Sequence, residues 1–167
     1  MMHATGGLFW MPVYLLFFYL VVRKYKWNIL WILLFAALMI LVSDQLSTVV
    51  KELTHRLRPS QEPGLVVHLI DAYKGGMYGF YSAHASNFFS LAFFMIVLIG
   101  RFYRFFFIPV ILWALLLAYT RIYLGVHYPG DIFAGMLVGC AIGLFAGKAC
   151  RLTIASFPLG ENKNTNH

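Results

Sequence analysis

The sequence predicts an all-α protein, a polytopic membrane helical bundle with about five transmembrane helices. Composition points there first: 61% of the 167 residues are hydrophobic and 11% are charged, at a mean hydropathy of +0.76. That balance leaves too little polar surface to coat a soluble domain. Length comes second. Apolar runs recur at residues 6–22, 28–50, 85–100, 105–119 and 132–149, and a helix needs roughly 20 residues to cross a ~30 Å hydrocarbon core. Third, Trp10, Trp27, Trp31, Tyr25, Tyr103 and Tyr123 fall near the run ends, where an interfacial aromatic belt sits and flanking residues complete the shorter spans.

The first run follows no basic segment and leads into Arg23, Lys24 and Lys26 rather than a small-residue cleavage site. It therefore reads as a span and not as a signal peptide. Residues 1–160 are expected to form one integral-membrane domain, and residues 161–167, ENKNTNH, a polar disordered tail. Cys140 and Cys150 lack the partners that a disulfide framework or a zinc site requires, and are read as packing residues.

The net charge is +7, yet the cations form no single stripe for nucleic acid. They alternate between loops. Arg23, Lys24, Lys26, Arg101, Arg104, Lys148, Arg151 and Lys163 fall on one side of a five-span topology, and Lys51, Arg56, Arg58, Lys74 and Arg121 on the other. The positive-inside rule puts the first group in the cytoplasm. The chain is then a multi-pass protein of the cell (inner) membrane, with its 51–84 and 120–131 loops outside. That outer face holds most of the remaining polar chemistry.

Three stretches stand out there. In "KELTHRLRP", Lys51 closes a long apolar helix and Arg58-Pro59 follows after six residues. If the helix continues, the two cations lie two turns apart on one face and grip an anion together; taken alone, they equally suit a helix end snorkelling to head groups. In "GFYSAHASN", Ser82, Ala83 and His84 precede an apolar run, so Ser82 caps a helix whose free N–H groups suit a phosphate. A plain cap beside an interfacial histidine explains that stretch too. The glycine-rich approach KGGMYG gives the loop freedom to come close to a ligand.

The third stretch, "TRIYLGVHYPGD", spaces Arg121, His127 and Asp131 at intervals of six and four. Pro129 suits the first turn of the last helix, and Asp131 falls in that turn, favoured by the helix dipole. From there it reaches back to one nitrogen of His127, fixing the tautomer and leaving the other as a nucleophile. A random shuffle of this composition would contain Arg-x5-His-x3-Asp roughly 0.005 times and Lys-x6-Arg-Pro roughly 0.009 times. Their joint occurrence is not accidental.

In this order and spacing, the stretches resemble the signature of the type-2 phosphatidic acid phosphatase superfamily: Lys-x6-Arg-Pro, then Pro-Ser-Gly-His, then Ser-Arg-x5-His-x3-Asp. The likeness covers about residues 43–150. Carried over by position, it implies phosphate-binding Lys51, Arg58, Ser82 and Arg121, with Ala83 in the phosphate-binding turn. It also implies His84 as general acid, His127 as nucleophile and Asp131 as its supporting carboxylate. Tyr81 stands where the family has proline, Ala83 where it has glycine, and Thr120 where it has serine. The family's usual six spans exceed the five counted, so its first helix is expected to be lacking or to precede the chain's first residue.

The chemistry implied is in-line transfer: cations balance the phosphoryl charge, His127 attacks phosphorus, and His84 protonates the leaving oxygen and then activates water. No cofactor and no divalent metal are expected, since Glu52, Glu62, Asp71 and Asp131 show no paired ligand spacing. A site at the membrane surface selects lipid phosphates such as undecaprenyl diphosphate, phosphatidylglycerol phosphate, phosphatidic acid or a lipid A phosphate. Leu65, Val66, Val67, Leu69 and Ile70 shape its entrance at the interface. His68 there is read as an interfacial surface histidine, and the spacer residues His55 and Arg56 receive no chemical step. Asp44, together with Ser43 and Gln45, makes hydrogen bonds to a neighbouring helix, or else positions a catalytic cation. Three alternatives remain beside hydrolysis: a lipid phosphotransferase on the same site, a vanadate-dependent haloperoxidase, whose usual soluble build disagrees with five apolar spans, and a non-catalytic lipid-binding or scaffold protein, which has no use for both histidines. Nothing in the sequence sets an oligomeric state.

Overall fold

The computed structural model describes residues 10–65, 75–103 and 105–159. Among them are five α-helices: α1 (Met11–Tyr25), α2 (Ile29–Thr54), α3 (Ala83–Ile99), α4 (Phe107–Tyr123) and α5 (Pro129–Ser156). Single 3-10 turns occur at Lys26–Asn28 and Pro59–Gln61. No strand occurs among the described residues; one isolated antiparallel bridge joins Leu57 and Tyr78. The rest of the expected entrance segment, with His68, and the polar tail lie outside the described residues.

Each apolar run yields one helix, with ends set by local chemistry rather than by hydropathy. α2 continues past Val50 to Thr54 because its backbone bonds need no apolar side chains, and spans 26 residues. It stops at His55, which adopts left-handed φ 47° and closes the helix by donating its N–H to the Lys51 carbonyl. The expected continuation through Arg58 therefore does not form. Pro59 disfavours helical backbone at the preceding residue, and Arg58 is extended at φ −73°, ψ 156°. α4 likewise runs on to Tyr123, so Arg121 lies in its last turn and not in a loop. α5 opens with Pro129 and Asp131 in its first turn, as the sequence predicts, and the Asp131 carboxylate also accepts the Tyr128 N–H at 3.0 Å.

The packing is inside-out relative to an aqueous domain. Ser43, Ser47, Ser86, Ser90 and Thr120 are buried, whereas Leu33, Leu41, Leu112, Leu137 and Phe145 face outward. An apolar coat of this extent suits hydrocarbon, not water. α3 and α5 share the most extensive interface. Gly135, Gly139, Gly143 and Gly147 recur every fourth residue on one stripe of α5, against the carbonyls of Ser82, Ser86 and Ser90 and the side chain of Val97. Such small residues let two helix backbones approach closely.

α1 and α4 complete the bundle through Trp113, whose ring takes Trp10, Tyr14, Phe17 and Phe88 edge-on at centroid distances of 5.5–6.4 Å. Tyr25, read from sequence as a belt residue, is buried and donates its hydroxyl to the Leu98 carbonyl at 2.8 Å. It locks α1 to the end of α3. Cys140 and Cys150 are free thiols, Cys150 buried.

Candidate active site

Antiparallel connection of the helices brings four helix ends and one turn together: the C-terminal ends of α2 and α4, the N-terminal ends of α3 and α5, and the turn between α4 and α5. Those ends carry Lys51, Arg121, Ser82 to His84, Asp131 and His127. His84, exposed on the first turn of α3, lies within electrostatic reach of Arg121, His127, Arg58 and Lys51. All eight residues singled out in the sequence therefore gather at one end of the bundle.

Lys51 and Arg58 are held by hydrogen bonds. Lys51, half-buried in the last turn of α2, donates its ammonium to Ser47 Oγ at 2.9 Å, one turn back on the same face. Arg58 reaches the site from extended backbone. Its Nε donates to the Tyr78 carbonyl at 3.1 Å and one terminal nitrogen to the Val126 carbonyl at 3.4 Å. Residues 56–58 are clamped against 77–79 by Arg58 N–H donating to the Met77 carbonyl and Gly79 N–H to the Arg56 carbonyl. Gly75 and Gly79 permit this: a Cβ on Gly75 would lie 2.9 Å from an Arg58 guanidinium nitrogen, and one on Gly79 3.0 Å from its Cγ. Arg121 is buried at the end of α4.

Ser82 caps α3, its hydroxyl accepting the Ala85 N–H at 3.4 Å, while its own N–H donates to the Asp131 carbonyl at 3.0 Å. That contact ties the N-termini of α3 and α5 together. Ala83 opens α3 without a positive φ, so the methyl that replaces the family's glycine hydrogen carries no conformational cost.

The tautomer of His127 follows from its neighbour. Arg58 approaches His127 Nε2 at 3.3 Å, and a guanidinium has donors only. Nε2 must therefore accept, which leaves the ring proton on Nδ1. Nδ1 faces Asp131 Oδ2 at 3.6 Å, an ion-pair distance just beyond hydrogen-bond reach. Both side chains are almost fully buried, at 2% and 0% exposure. Burial holds the His127 imidazole below its ordinary value, against the upward pull of Asp131. The ring is thus neutral at neutral pH, with a lone pair on Nε2 directed toward the cations.

Two participants, Arg56 and Ser47, were not assigned to the site from the sequence. Arg56, given no chemical step there, binds Asp131 Oδ1 at 2.8 Å. Ser47 was findable, lying four residues before Lys51 on one helix face. Asp44 takes the Asn87 amide N–H at 2.8 Å and Ser43 pairs with Ser86 at 2.7 Å, so this polar step of α2 joins α2 to α3.

Three cations and two histidines thus gather at one end of an apolar helical bundle. The PAP2 superfamily model matches residues 30–151, and the chain belongs to that superfamily. It is similar to the lipid A 4'-phosphatase of Bacteroides thetaiotaomicron, 38% identical over 140 residues, which cover 81% of this chain and 61% of that one. The lipid A 4'-phosphatase of Porphyromonas gingivalis is 37% identical over 155 residues, covering 79% of this chain and 64% of its own. The chain thus spans about three-fifths of the length of these relatives. Among solved structures, the crystal structure of the first transmembrane PAP2 type phosphatidylglycerolphosphate phosphatase from Bacillus subtilis superposes with a TM-score of 0.62 at 23% identity, over 93% of this chain and 75% of that one. The fold is shared.

Proposed function

We propose that the protein is a multi-pass membrane phosphatase that removes a phosphate from a lipid through a phosphohistidine on His127, without a metal. The observation that carries this reading is the polarised imidazole, with Asp131 behind Nδ1 and Nε2 aimed at Arg58. A lipid phosphate entering the cluster takes up donors from Lys51, Arg58 and Arg121 and from the N-terminus of α3. Nε2 attacks phosphorus in line. In the free site, desolvation by the surrounding protein and then the charges of Arg121, Arg58 and Lys51 push His84 down to about 4; the phosphate's negative charge offsets those cations and lets the ring hold a proton. The bond to the lipid oxygen breaks, and His84 gives that oxygen its proton. Asp131 stabilises the positive ring formed in this step. His84, now neutral, takes a proton from water, the hydroxyl attacks phosphorus, and the P–N bond breaks to release inorganic phosphate and neutral His127.

The three cations supply the charge stabilisation that a divalent ion otherwise gives. The five helices cross the bilayer, and the charge distribution between loops supports an active site on the extracytoplasmic face of the inner membrane. Among lipid phosphates, the two curated relatives favour a lipid A phosphate at the 4' position. Phosphate release by the purified chain from lipid A, undecaprenyl diphosphate, phosphatidylglycerol phosphate and phosphatidic acid, assayed in parallel, tests the reading. Lipid A is expected to turn over fastest; no release from any of the four would contradict the assignment.

A further inference from the structure

We infer that Arg56 is a positioning residue for the reaction, acting on His127 through Asp131; the inference rests on the proposed role of His127. The spacer residue Arg56 and the motif residue Arg58 behave as a pair. Residues two apart on extended backbone share a face, and Arg56 and Arg58 both turn toward the dyad. Arg58 meets the far end, His127 Nε2 at 3.3 Å, and Arg56 the near end, Asp131 Oδ1 at 2.8 Å.

Asp131 is fully buried, and its two oxygens have separate tasks. Oδ2 accepts the Tyr128 N–H at 3.0 Å and faces His127 Nδ1 at 3.6 Å. Oδ1 takes Arg56. This division fixes the carboxylate rotamer: with Arg56 on Oδ1, only Oδ2 is presented to the ring. Arg56 is itself fixed, its guanidinium 4.7 Å from the Tyr128 ring centroid and 5.8 Å from that of Phe80, and its carbonyl accepting Gly79 N–H at 2.9 Å. A guanidinium over an aromatic face is a favourable and oriented contact. At 45% side-chain exposure, against 0% for Asp131, Arg56 closes the site around a carboxylate that would otherwise be buried with one oxygen unsatisfied.

A fourth phosphate-binding cation is the competing role, and a double-mutant cycle separates the two. Arg56→Gln is expected to lower kcat about 10–100-fold, by analogy with residues that orient metal-ligating side chains, with inhibition by inorganic vanadate unchanged. Arg56→Lys should recover part of the loss. The Arg56→Gln/Asp131→Asn double variant should be no slower than Asp131→Asn alone. Losses that multiply, or vanadate inhibition weakened in step with kcat, would overturn the inference. The NMR midpoint of ring-labelled His127 should also shift in Arg56→Gln and stay unshifted between Asp131→Asn and the double variant. This readout needs no turnover, so a failed coupling is distinguishable from a failed assignment of His127 as nucleophile.

Discussion

Gly139 of α5 packs against the backbone carbonyl of Ser86 in α3 so closely that a methyl group in its place would overlap the oxygen. The contact belongs to the stripe that joins the helix bearing Ser82 and His84 to the helix bearing Asp131. Alanine favours a helix over glycine by about 1 kcal/mol, but overpacking costs about 1–3 kcal/mol. A backbone carbonyl cannot rotate aside, so the steric effect wins. Gly139→Ala should therefore lower both thermal stability in detergent and activity, by up to about 2 kcal/mol in stability. Gly130→Ala, where a Cβ meets nothing within 4 Å, should leave unfolding within about 0.5 kcal/mol of the parent. Equal behaviour of the two variants would remove the interface from the account.

How far such features are legible in sequence depends on the kind of signal. The five helices follow from apolar runs, because hydrocarbon admits few other backbones. The Gly135 to Gly147 spacing was also present, but a four-residue glycine stripe does not name its partner helix. Arg58 joins the cluster by a route the sequence reading did not offer: a helix continuing through it would have put it on one face with Lys51, whereas the left-handed turn at His55 redirects the chain and extended backbone delivers the guanidinium. The same redirection makes Arg56 a partner of Asp131, 75 residues away. Spacing within one motif cannot show a contact formed between two. Tyr25 was misplaced because a tyrosine near a run end is equally suited to a membrane interface or to a buried carbonyl.

The departing group should separate the two histidines. An alkoxide leaving from a lipid monophosphate needs a proton from His84, whereas a nitrophenolate or the phosphate monoester leaving from a lipid diphosphate needs less help. His84→Ala should therefore slow lipid monophosphates far more, by about 10²–10⁴-fold, than aryl phosphates or diphosphates. Equal losses across the three substrates would make His84 a phosphate ligand instead.

Burial lowers the affinity of His127 for a proton, and the neutral ring is the attacking form. The site should therefore stay competent as pH falls through the ordinary histidine value of about 6.5, with protonation only below it. An NMR titration of ring-labelled histidines in detergent, assigned with His127→Gln, should place the His127 midpoint below that value. A midpoint above it would mean that Asp131 outweighs burial and that the resting ring is cationic.

With Lys51, Arg58 and Arg121 balancing the phosphoryl charge, turnover should persist in excess EDTA to within about twofold of the untreated rate. Loss of activity on chelation, restored by added magnesium, would place the protein in a different mechanistic class.

Trapping the phosphoenzyme tests the central claim most directly. The chain is incubated with a lipid substrate labelled in its phosphate, quenched in alkali, where phosphohistidine survives, and examined before and after acid treatment. The account predicts label on His127 that acid removes, and neither label nor turnover above about 10⁻³ of the parent rate in a folded His127→Ala variant. Substantial turnover by His127→Ala, or label retained on a different residue, would contradict it.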